Sequence, residues 1–152
     1  MKKLNFLPII LLSLLIGCWE TELSQKYVFD SNDMEKNIKK YTVSKEPMAE
    51  FSCAMSSIIF SKEILNAMKS NKEPDMSKLA EVDTTPTTIK LFKDKIFWND
   101  LGQETKIKDT IVSLKGFGGE TFKLKLIKNE DNINFKFEED KLICLFPFKK
   151  ST

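Results

Sequence analysis

From Thr88 to the C-terminus, apolar residues return at every second position. Phe122, Leu124 and Leu126 alternate with Lys123 and Lys125, and Ile133, Phe135 and Phe137 alternate with Asn134 and Lys136. Leu142, Cys144 and Phe146 continue the series. A period of two sends successive side chains to opposite sides of a pleated strand, so this half of the chain reads as antiparallel strands with one dry face and one wet face. Turn residues divide it. Lys93-Asp94, Asn99 to Gln103, Gly116-Phe117-Gly118-Gly119, Asn129 to Asn132 and Glu139-Asp140 separate strands at Thr88–Phe92, Lys95–Asn99 and Thr105–Lys115, and then strands carrying Phe122, Ile133 and Leu142.

The middle of the chain has a helical period. Asp30-Ser31-Asn32-Asp33 offers N-cap side chains for a short helix over Met34 to Tyr41. This cluster lacks the glycine and distal glutamate of a calcium loop, and is read as a cap. Ser44 to Ser70 predicts a long helix, capped by Ser44 and with Pro47 in its first turn. At 100° per residue it carries two apolar stripes. One holds Met48, Phe51, Met55, Ile58, Ile59 and Leu65, and the other Ala49, Cys53, Phe60, Ile64 and Ala67. Two stripes predict burial on two sides, with a sheet on the narrower one and the N-terminal segment on the other. Core packing is the reading adopted for Met48 and Met55, ahead of a sulfur-rich ligand groove. The expected architecture is α+β: one long helix, or two, packed on an antiparallel meander sheet of five or six strands.

Composition removes several chemistries. The 152 residues contain no His, and all 24 basic residues are Lys. Nucleophilic pairs built on imidazole are excluded, as is a bidentate guanidinium grip on phosphate. Neither Gly-x-Ser-x-Gly nor Ser-x-x-Lys occurs. The glycine-rich run at 116–119 is followed by Glu120 and a strand, not by Lys-Ser/Thr and a helix, and so reads as a hairpin loop. Acidic pairs at Glu130-Asp131 and Glu138-Glu139-Asp140 fall in turns, where charge is ordinary, although two carboxylates could in principle serve a glycosidase. No catalytic residue, metal or cofactor is expected.

The first residues read MKKLNFLPIILLSLLIGCWE. Lys2 and Lys3 precede an apolar run of 11 residues, Phe6 to Ile16. That is the length of a secretory h-region and well short of the roughly 20 residues that span a bilayer. The run ends in Leu15-Ile16-Gly17-Cys18, which resembles the lipobox of bacterial lipoproteins. The resemblance covers the leader alone. It implies a diacylglycerol on the Cys18 sulfur, cleavage after Gly17 and acylation of the new amino group, hence a fatty-acyl (palmitate-type) anchor in the cell envelope. Trp19 stands where an Asp would imply inner-membrane retention, so the implied site is the outer membrane, facing the periplasm. The expected organisation is a signal peptide at 1–17, a tether at 18–30 and a single domain at 31–152.

Loss of the leader leaves 22 lysines against 22 acids, which gives no electrostatic case for nucleic acid. With Cys18 lipidated, Cys53 and Cys144 remain as an even pair in an oxidising compartment, the alternatives being a disulfide or two buried thiols. Phe117, alone between glycines, and Lys123, Lys125 and Lys136 on the wet face are candidate partner contacts. Together these features predict a lipid-anchored periplasmic protein that binds a protein partner, as immunity, inhibitor or other blocking proteins do. A structural or assembly component of the envelope or of a secretion machine is the alternative, and an enzyme is the least favoured reading.

Overall fold

In a computed structural model, residues 24–75, 77, 87–116 and 118–151 are described. Eight antiparallel strands close into a barrel in chain order: β1 (Gln25–Phe29), β2 (Thr88–Leu91), β3 (Lys95–Trp98), β4 (Gln103–Lys108), β5 (Ile111–Lys115), β6 (Thr121–Lys128), β7 (Asn132–Glu139) and β8 (Leu142–Lys150). This corrects the expected open sheet under a long helix. Two local features account for the difference. Residues 25–29, read from the sequence as the end of a tether, form β1, which pairs with β2 on one side and β8 on the other. The strand expected over Thr105–Lys115 is two strands joined at Asp109-Thr110, both with positive φ (52° and 67°). Two left-handed residues in succession make a tight hairpin of the mirror-image type, whose usual signal is Asn-Gly or Asp-Gly. Asp-Thr lacks that glycine, and the turn left no mark in the sequence pattern.

The alternating apolar residues point into the barrel. Ile89, Ile96, Val112, Leu124, Ile133 and Phe135 are fully buried there, while Lys123 and Lys125 stand outside. Eight strands leave an interior just wide enough for side chains. Polarity is the reverse of a barrel that meets lipid, whose apolar residues point outward.

The connection from β1 to β2 carries a helical insertion over residues 31–70: α1 (Ser31–Lys36), α2 (Ile38–Tyr41), α3 (Ala49–Ser56), a 3₁₀ turn (Ser57–Phe60) and α4 (Lys62–Ser70). The helix expected over 44–70 is therefore interrupted. Ser44 does not cap it. Its hydroxyl bonds instead to the Ile143 amide and, at 2.7 Å, to the Lys141 carbonyl, and α3 starts only after left-handed Met48. Ser61 starts α4 by accepting from the Ile64 amide at 3.3 Å.

The tighter 3₁₀ turn drives Phe60 into the mouth of the barrel. Its ring packs on Phe146 at 5.0 Å and Phe29 at 5.2 Å, with Phe148, Trp98 and Phe135 completing the shell. The Thr87 hydroxyl donates to the Phe60 carbonyl oxygen and so ties the plug to the start of β2. Among the described residues, Trp98 Nε1 is the buried side-chain donor left without a partner. Indole bulk, not its polar atom, is what the barrel uses.

Cys53 on α3 and Cys144 on β8 form a disulfide with S–S 2.02 Å and Cα–Cα 5.5 Å. It closes a loop of 91 residues. For such a loop the chain-entropy model gives about 4.5 kcal/mol. Reduction, or Cys53→Ser with Cys144→Ser, should lower the urea unfolding free energy by about 2–5 kcal/mol. Phe60→Ala should cost about 3–5 kcal/mol, because the surrounding strands cannot collapse onto the space. Denaturation monitored by circular dichroism checks both, and a Phe60→Ala loss under about 1 kcal/mol would show that the plug is not part of the core.

Candidate interaction surfaces

The barrel turns three of the residues singled out from the sequence onto one outer face. Lys123 and Lys125 project from β6, and Lys136 projects beside them from β7, with Lys125 and Lys136 directly opposed. Cys18 and Phe117 lie outside the described residues. The neighbouring hairpins add lysines that the sequence reading did not single out. Lys106 and Lys108 on β4 and Lys115 on β5 share the outward register. Lys136 is matched by Glu138 at 2.5 Å, and Lys95 by Glu104 at 3.4 Å. Lys106, Lys108, Lys115, Lys123 and Lys125 have no ion-pair partner among the described residues. Like charges directly opposed across strands are destabilising. On this face Lys106 opposes Lys95 and Lys125 opposes Lys136, and Lys95 and Lys136 each have a glutamate partner, while Lys108, Lys115 and Lys123 face Ile111, Thr121 and Ser113.

The acidic clusters do not converge. Glu130-Asp131 lies before β7 and Glu138-Glu139 at its far end. About seven strand residues separate them, on the order of 23 Å. A glycosidase pair works at roughly 5–10 Å. Among the described residues no cluster of His, Cys, Asp or Glu could hold a metal ion, and no helix is long and apolar enough to cross a membrane.

The insertion carries a second surface. Of the two stripes read from the sequence, the one with Ala49, Cys53, Phe60, Ile64 and Ala67 is buried, with Cys53 and Phe60 in the core of the barrel. The other is open at its start, where Met48 is 68%, Phe51 59% and Met55 49% exposed. This corrects the expectation that both stripes are covered. Beside Phe51 lies a groove of about 410 Å³ between α1 and α3, floored by Phe29, Met34, Ile38 and Ala54 and edged by Glu35 and Glu50. A hollow of about 460 Å³ at the opposite end of the barrel mixes Lys93 and Lys128 with Asp94 and Asp109.

The wall made by α1 is held in place by polar contacts. Asp30 caps α1 by accepting from the Asp33 amide at 3.1 Å, and its carboxylate meets Lys149 of β8 at 3.1 Å. The capping reading of this Asp/Asn cluster thus matches its geometry. Asp33 accepts from the Tyr41 hydroxyl and from Asn37 Nδ2 at 2.7 Å. The Tyr41 hydrogen bond holds Asp33 below the ordinary carboxylate range against its partial burial. Burial, then the same carboxylate, pushes Tyr41 up. Comparison with known proteins adds nothing to this geometry, since the chain matches no family model, no curated protein and no solved structure.

These shifts set a pH response. A lowered carboxylate stabilises the fold at neutral pH, and that contribution fades as pH falls through the carboxylate range. A raised tyrosine contributes fully below its ordinary value and is lost as pH rises through its raised one. The stability difference between the wild type and Asp33→Asn should therefore shrink between about pH 7 and about pH 3. Urea titrations at fixed ionic strength measure it, and a difference constant over that range would show that the Asp33 charge is not engaged.

Proposed function

We propose that the chain is a lipid-anchored protein of the cell envelope that acts by binding a protein partner, of the blocking, immunity or inhibitor type. The leader supports the anchor. The observation that carries the binding reading is the set of five lysines on β4–β6 without ion-pair partners, brought onto one outer face by the consecutive β4–β5–β6 hairpins. An acidic surface docked there would supply the ion-pair partners that these lysines lack. Complementary charge of this kind speeds encounter and fixes orientation more than it adds raw affinity.

Connectivity supports the same reading. In a closed ring of eight strands, β5 is the strand farthest from β1. Six residues, Trp19 to Ser24, separate Cys18 from β1. Such a segment reaches at most about 20 Å. An anchor at Cys18 would hold the start of β1 within about 20 Å of the bilayer. A membrane-held binder also works at a raised local concentration, which suits blocking a partner that passes through the envelope.

Two measurements test the proposal. Cys18→Ala should abolish incorporation of labelled palmitate and release the protein from membranes. Lys123→Glu with Lys125→Glu should leave the circular dichroism unchanged, because both side chains are exposed, and should lower capture of an acidic partner from solubilised envelopes by about tenfold at low salt. An unlabelled wild type would overturn the anchor, and capture indifferent to charge reversal would overturn the lysine face.

A further inference from the structure

We propose that the groove between α1 and α3 is a second binding site, which takes an amphipathic helical segment of another protein bearing lysine or arginine beside its apolar face. The floor is apolar, from Phe29, Met34 and Ile38, and Phe51 stands at its lip with most of its surface in water. An aromatic left exposed beside a concave apolar floor is the form that an anchor residue takes before binding. The volume of about 410 Å³ accommodates one or two large side chains. The walls are helices of 6 and 8 residues. At 1.5 Å per residue they run about 9–12 Å, matching about two turns of a docked helix.

Charge selects the partner. In a chain with 24 lysines, the groove lining contains none, and it contains Glu35 and Glu50, one from each wall. Neither has an ion-pair partner among the described residues. An apolar groove with two open carboxylates repels anionic lipid and complements a cationic amphipathic helix. Both walls are also fixed beforehand. Cys53 ties α3 to β8 through the disulfide, and the α1 cap residue Asp30 is held by Lys149 of β8. A groove whose two sides are tied to one strand loses little freedom on binding. This site lies on the helical insertion and its charge is opposite to that of the lysine face, so it stands independently of the proposed function.

The test uses the full chain in zwitterionic nanodiscs and two labelled synthetic peptides, read by fluorescence anisotropy against empty nanodiscs. Both carry leucines at helical spacing, one flanked by lysines and the other by glutamates. The lysine peptide should bind and the glutamate peptide should not. Glu35→Gln with Glu50→Gln should weaken binding about three- to tenfold at low salt. Phe51→Ala, a surface change expected to leave the fold intact, should weaken it about tenfold or more. Lys123→Glu with Lys125→Glu should leave it unchanged, which separates this site from the lysine face. Equal binding of both peptides, or insensitivity to the glutamate and Phe51 variants, overturns the proposal. So does Phe51-dependent self-association in analytical ultracentrifugation, or Phe51-dependent partition of the Cys18→Ala chain onto phosphatidylglycerol vesicles, outcomes that assign the groove to a second copy or to lipid.

Discussion

Closure of the barrel depends on a short pairing between β1 and β8. Only Tyr27, Val28 and Phe29 are in register with Lys150, Lys149 and Phe148. A strand edge left open would expose unpaired amides and carbonyls along the rest of β8. The chain covers that edge itself. After α2, Thr42 bridges Cys144, the Val43 amide donates to the Ile143 carbonyl at 3.0 Å, and Ser44 serves both Ile143 and Lys141. The helical insertion is thus part of the closure as well as a cap on the barrel's mouth. Phe60 then fills that mouth, so the eight strands enclose packed side chains and not solvent.

The same contacts give the outer surfaces their rigidity. Both helices that wall the acidic groove hang from β8, one by a covalent bond and one by a capped ion pair. The lysine face is built on strands whose inward residues include the fully buried Val112 and Leu124, so the backbone positions of its lysines are fixed at strand spacing. The two surfaces carry opposite charge and lie on different parts of the molecule. Their separation also means that each can be altered without disturbing the other.

β2, β3 and β6 to β8 were legible because apolar residues recur at every second position over nearly their whole length. What hid the barrel was small. β1 presents only Tyr27 and Phe29 to the interior, too short a pattern to stand out from a polar tether. The β4–β5 turn uses Asp109 and Thr110 in left-handed conformations without the glycine that normally announces them. Each omission removed one strand from the count, and a meander without its first strand has no partner with which to close. The long helix failed for a different reason. Apolar periodicity continues through Ser57–Phe60, but tertiary packing of Phe60 between Phe29, Phe146 and Phe148 wins over helical continuity.

The sequence by itself determined the alternation of inward and outward residues, the Asp30 cap, the pairing available to two cysteines once a third is set aside, and the absence of imidazole chemistry. These follow from residue type and spacing along the chain, which folding does not alter. Tertiary structure alone decided that the sheet closes, that one helix stripe is covered and the other left in water, and that lysines from three strands meet on one face. Each of those depends on which distant segments come to lie together, and a local pattern carries no information about what will be packed against it.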